Sequence, residues 1–152
     1  MTSRTSFPRE VTDRADAARR RQTPGAVEWN QDGSALIEST TPQVLAVGQL
    51  PVRIDRLRDV LSQWRTILGA DAELHLIERT RPDASQSAFD SVRSLIPGAD
   101  PRFERDVVAL VREFGWTVVA IERFDVEIDG QTQRWVDLRA TDVVAQVRRE
   151  SS

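Results

Sequence analysis

The chain has 152 residues with a net charge of -3, and its 39% apolar and 30% charged content is enough to bury one core with no sign of a second domain. It has no cysteine, which excludes disulfides, thiolate metal sites and a cysteine nucleophile and makes a cytoplasmic address the simplest expectation. No apolar run approaches the ~20 residues of a membrane span, and Met1 to Glu10 offers no apolar stretch for a secretory signal, so no membrane partner is expected.

From Met1 to Gly25 the chain carries six arginines against Glu10, Asp13 and Asp16, and beyond Phe7 almost no large apolar residue. Such a segment has little surface to bury against its ordering entropy, so residues 1–25 are expected to form a disordered, arginine-bearing tail. All 21 basic residues are arginine, there is no tyrosine, and Asn30 is the single asparagine. That combination fits a GC-rich genome better than phosphate recognition, and the acidic balance disfavours a nucleic-acid partner.

Residues 26–150 are expected to form one α+β domain. Val27 and Trp29 alternate, "NQDG" is rich in turn formers, and Leu36 and Ile37 open a second extended run, a pattern that predicts a hairpin. "QVLAVGQLPV" is a short apolar strand. Ile54, Leu57, Val60, Leu61, Trp64, Ile67 and Leu68 recur at spacings of three and four, which predicts an amphipathic helix stopped at Gly69. "AELHLIERT" reads as the next strand, with Leu74 and Leu76 on one face and His75, Ile77 and Arg79 on the other.

Phe89, Val92, Leu95 and Ile96 predict a short helix, and a second main helix is expected from an Asp100 cap through Phe103, Val107, Leu110, Val111 and Phe114 to Gly115. "WTVVAIERFDVEIDGQTQRWVDLRAT" then predicts a long hairpin turning near Asp129-Gly130. A three-residue turn sets Arg123 opposite Asp137, and a two-residue turn sets Phe124 opposite Trp135 and Asp125 opposite Arg134. "TDVVAQVRRE" predicts a closing helix. The sum is a two-layer arrangement of a mixed, mainly antiparallel sheet of about five to six strands, with the two main helices on one face.

Two near copies, "LIER" ending at Arg79 and "AIER" ending at Arg123, each follow a helical segment containing "RDV". Strict alternation places Glu78 with Leu74 and Leu76, and Glu122 with Trp116, Val118 and Ala120. Two carboxylates at the ends of apolar strand faces suit acid-base chemistry if they lie close together. Without a phosphate loop, nucleophile motif or metal-ligand spacing beside them, the expectation is solvated charges where the strands leave the sheet, with no cofactor and no metal. His75, the only histidine, excludes a multi-histidine metal site and is a further candidate general base.

Phe124 and Trp135 on the final hairpin, with Arg134, Arg79 and Arg123 nearby, are the expected contact surface. The favoured function is therefore a non-catalytic accessory, regulatory or assembly factor acting through a protein partner or self-association. The alternative is a small-molecule-binding domain or small enzyme whose pocket lies between sheet and helices and uses Glu78, Glu122, Arg79 or Arg123. A third reading is an RNA-associated protein using the arginine tail. A polar pocket favours the second reading, and a flat apolar patch around Phe124 and Trp135 favours the first.

Overall fold

The computed structural model describes residues 7–33, 36–51, 53–80 and 106–142. The elements in chain order are α1 (Arg9–Arg20), β1 (Val27–Glu28), β2 (Gln43–Val47), α2 (Ile54–Ile67), β3 (Glu73–Arg79), α3 (Val107–Glu113), β4 (Thr117–Ile128) and β5 (Gln131–Thr141). The short helix expected at 89–96 and the closing helix after Thr141 lie outside the described residues. Among the described residues no helix is long and apolar enough to cross a membrane.

The chain is α+β, with a five-stranded mixed sheet in the order β1-β2-β3-β5-β4. It is not mainly antiparallel: β1 with β2 and β2 with β3 are parallel, and β3 with β5 and β5 with β4 are antiparallel. The reason is α2. A helix that carries the chain back across the sheet starts the next strand in the same direction as the last. The expected hairpin over 27–37 is likewise absent, because Val27 and Glu28 pair in parallel with Val44 and Leu45, and Leu36 is exposed.

The layers also differ from expectation. Leu57, Leu61 and Trp64 of α2 and Val107, Leu110 and Val111 of α3 pack on Val44, Ala46, Leu74, Leu76, Val136 and Leu138. These two helices share one face, as the sequence predicts. The other face is covered by α1, whose Val11, Ala15 and Ala18 pack against Leu45, Val47, Ile77, Val126 and Trp135. The arrangement has three layers, and residues 9–20 of the expected disordered tail are an ordered helix. Val11, Ala15 and Ala18 recur at helical spacing, and small side chains let the helix approach the sheet closely.

Details fix the remaining joins. Gly48 has φ 62°, and Phe7 sits where its Cβ would stand, so only glycine fits there. The α3 helix is capped by Asp106, which accepts from the Ala109 N–H at 3.0 Å, and the Asp100 cap expected from the sequence lies outside the described residues. The hairpin takes the two-residue turn, with Asp129 at φ 51° and Gly130 at φ 78°, which pairs Phe124 with Trp135 and Asp125 with Arg134.

Leu61→Ala is expected to cost about 2–5 kcal/mol in urea unfolding, the usual range for truncating a buried leucine. Deleting residues 1–21 uncovers Leu45, Val47, Ile77 and Trp135 and should lower the melting temperature by at least about 5 °C. An unchanged melting temperature for the deletion would mean that α1 contributes nothing to the fold.

Candidate functional site

The repeated Glu-Arg pairs fall on different faces of the sheet. Glu78 stands in register with Val136 and Arg123, on the side of α2 and α3, whereas Glu122 stands in register with Asp137, on the side of α1. The cause is a β-bulge. Val118 pairs with Ala140 and Ala120 with Arg139, so Val119 is an extra residue in β4 and every residue after it points opposite to strict alternation. Glu78 and Glu122 therefore do not form a carboxylate pair.

Glu78 is fully buried rather than solvated. Its carboxylate accepts from the Gln49 N–H at 2.9 Å and the Leu50 N–H at 3.4 Å, tying the turn after β2 to the end of β3. Two backbone donors that the turn leaves without sheet partners are thereby satisfied. Glu122 is mostly exposed and lies in mid-strand, so it does not mark a strand end.

On the α1 face, β3, β5 and β4 present His75, Arg139 and Ala120 in one cross-strand row and Ile77, Asp137 and Glu122 in the next. His75 Nε2 lies 2.8 Å from Asp137 Oδ1. Arg14 reaches down from α1 to Asp137 Oδ2 at 3.2 Å and Glu122 Oε2 at 2.6 Å, with its guanidinium 4.2 Å from the centre of the Phe124 ring. Burial pushes the Asp137 carboxyl up, but the hydrogen bond and charge of His75 and then those of Arg14 outweigh it and hold the group below the usual carboxylate range. Burial lowers the Arg14 guanidinium, but the hydrogen bonds and charges of Glu122 and Asp137 raise it further, so it stays charged.

These groups line an open pocket of about 430 Å³, bounded also by Arg21, Thr23, Gln43, Glu73 and Arg139. It forms because α1 covers the sheet face only in part. Toward Phe7 the helix lies over apolar residues, and toward Arg21 it stands over a polar floor.

Of the residues expected to matter, His75 and Glu122 come together here, while Glu78, Arg79 and Arg123 are not among the pocket's lining residues. Trp135 is buried, edge-on to Phe7 at 6.2 Å and stacked on half-buried Phe124 at 6.3 Å, and Arg79 is buried on the same cross-strand row. Arg134 pairs with Asp125, and exposed Arg123 stands on the opposite face. Arg14, Asp137 and Arg139 were not anticipated. The signal for Asp137 is a carboxylate alone at the centre of the otherwise apolar "WVDL", and for Arg14 its place on the helix that carries Val11, Ala15 and Ala18.

No protein-family model and no curated protein matches the sequence. Among solved structures, the chain is similar to a protein from Bacillus halodurans described as a methyltransferase, at 10% identity over 80% of this chain and 68% of that one, with a TM-score of 0.49. It is also similar to the mitomycin 7-O-methyltransferase MmcR, at 21% identity over 70% of this chain and 31% of that one, with a TM-score of 0.40. A third is the arsenic(III) S-adenosylmethionine methyltransferase of Chlamydomonas reinhardtii, at 17% identity over 72% of this chain and 40% of that one, with a TM-score of 0.43. The chain thus spans well under half the length of the latter two.

The expectation of a non-catalytic accessory or assembly factor is corrected. Its flat apolar patch does not exist, because Trp135 is covered by Phe7 and Phe124 and the open feature of that face is a polar pocket.

Two outcomes follow for the carboxylates. Glu78→Ala leaves buried N–H donors without their acceptor and is expected to cost about 1–3 kcal/mol, whereas Glu122→Ala, at an exposed ion pair, should cost about 1 kcal/mol or less. Urea unfolding of both variants compares them. Because the folded-state pKa of Asp137 is depressed, its stabilisation is present above the ordinary carboxylate value and lost as pH falls through the folded value. The gap in stability between the wild type and Asp137→Asn should thus be full at pH 5–7 and shrink below about pH 4. A gap independent of pH would show that Asp137 is not held ionised by its neighbours.

Proposed function

We propose that the chain is a small-molecule-binding domain with enzymatic chemistry, whose ligand occupies the pocket beneath α1. The observation that carries this reading is the contact of His75 with Asp137 in the wall of an open cavity, beside the apolar patch that docks α1. A charged group that serves only folding is ordinarily replaceable by a packed apolar residue at little cost in stability. Here a histidine, an aspartate and an arginine are held together where solvent and a ligand can reach them.

The chemistry follows from the geometry. Asp137 accepts from Nε2–H of His75 and so fixes the ring and its tautomer, which leaves the Nδ1 lone pair to take a proton. When His75 gains that proton, the adjacent carboxylate stabilises the imidazolium. Against its burial, the contact with His75 and then that with Arg14 hold Asp137 ionised, so that the carboxylate accepts rather than donates. His75 is thus the proton-transfer group, Asp137 its positioning residue, and Arg14 the group that maintains both.

The single histidine makes the test unambiguous. Its ring nitrogens are the only imidazole signals in the protein, and they can be followed by NMR during titration with a metabolite panel. S-adenosylmethionine belongs in that panel, given the names of the structures the chain is similar to. At least one compound is expected to shift the His75 signals saturably and to lose the effect in Asp137→Asn. For any turnover found, His75→Gln should lower kcat by about 10²–10⁴-fold, the usual contribution of a general acid or base. A folded protein whose His75 signals no compound moves would end this reading.

A further inference from the structure

We infer that the ligand of this pocket carries an anionic group, a carboxylate or a phosphate, which Arg21 and Arg139 receive at the rim; the inference rests on the pocket being a ligand site. The three carboxylates of the pocket are each engaged within the protein. Glu122 pairs with Arg14, Asp137 with Arg14 and His75, and Glu73 accepts from the Gln43 amide at 3.2 Å. The arginines divide differently. Arg14 is committed to two carboxylates, whereas Arg21 and Arg139 line the same cavity and have no carboxylate partner among the described residues.

Their placement suits a shared ligand. Arg139 stands directly across from His75 in the register of β3 and β5, and the next position in that row is Ala120, whose methyl group leaves the space above it open. Arg21 follows the last turn of α1 and lines the same opening from the helix layer. Two guanidinium groups approaching one space from a strand and from a helix end present planar donor pairs that match the oxygens of a carboxylate or phosphate. Arg139 also interrupts the apolar run of β5 between Leu138 and Ala140, on the pocket side. An anion held there lies beside His75, which places its neighbouring atoms within the proton-transfer site.

The test uses four probes at constant ionic strength in chloride: inorganic phosphate, citrate, glycerol and putrescine. Each is titrated against the full chain while the His75 ring signals are followed. Citrate and phosphate are expected to shift those signals saturably, and glycerol and putrescine are not. Arg21→Gln/Arg139→Gln should weaken citrate binding by about 10- to 100-fold, the loss expected for charge-assisted hydrogen bonds. Both residues are exposed, so the double variant should unfold at the wild-type midpoint; if it does not, the two single variants are compared instead. Citrate binding unchanged in the folded variants, or an absence of any anion response, overturns the inference. A His75 response to glycerol or putrescine but not to anions also overturns it while leaving the pocket as a ligand site, which separates its failure from that of the reading above.

Discussion

The structure depends on the burial of β2 on both faces. All five of its residues are buried, and its side chains point alternately toward α2 and α3 and toward α1. A strand in the parallel part of a sheet needs cover on each side, because the crossover places a helix on only one of them. In this chain α2 supplies one cover, and the N-terminal segment supplies the other. That requirement turns a polar, arginine-rich stretch into a helix, since three small or branched residues on one side of it suffice to seal Leu45, Val47 and Ile77.

Once α1 is bound by its apolar stripe, its polar side is brought over the rest of the sheet. Arg14 is one turn beyond Val11 and one residue short of Ala15, so the contact that docks the helix also delivers a guanidinium to Asp137 and Glu122. A second clamp, Arg19 to Glu28 at 2.6 Å, joins the end of α1 to β1. On the opposite face Arg65 of α2 reaches Asp142 at 2.7 Å and approaches the Trp116 ring at 5.5 Å. The charged contacts therefore sit at the margins of apolar patches, where they set orientation while burial supplies most of the free energy.

The bulge at Val119 has the larger effect on chemistry. With unbroken alternation Glu122 would lie on the face of α2 and α3, far from His75 and Asp137. One extra residue exchanges the faces, so the carboxylate meets Arg14 and the apolar Val126 and half-buried Phe124 join the α1 layer. Glu78, in the unbulged β3, keeps its expected face and becomes a buried acceptor for the turn at Gln49 and Leu50. Two matching tetrapeptides thus have unrelated roles, one structural and one at the rim of a pocket.

Elements with strong local signals were legible in the residues alone: α2 from its three-four spacing, the strands β2 and β3, and the Asp129-Gly130 turn, where the residue pair suits a positive φ at both positions. The residues alone also placed His75 on the face opposite Leu74 and Leu76, because strand alternation is a local property. Other features depended on partners distant in the chain. Whether "VTDRADAAR" orders depends on an apolar sheet face assembled from residues 45, 47, 77, 126 and 135, and no local pattern contains that surface. The choice between two hairpin registers and the position of the bulge were settled by how the strands fit together across the sheet. The meeting of Arg14, His75, Glu122 and Asp137 is a property of the tertiary structure alone, since each residue is locally an ordinary charged or polar position and only the packing of α1 on the bulged sheet makes them neighbours.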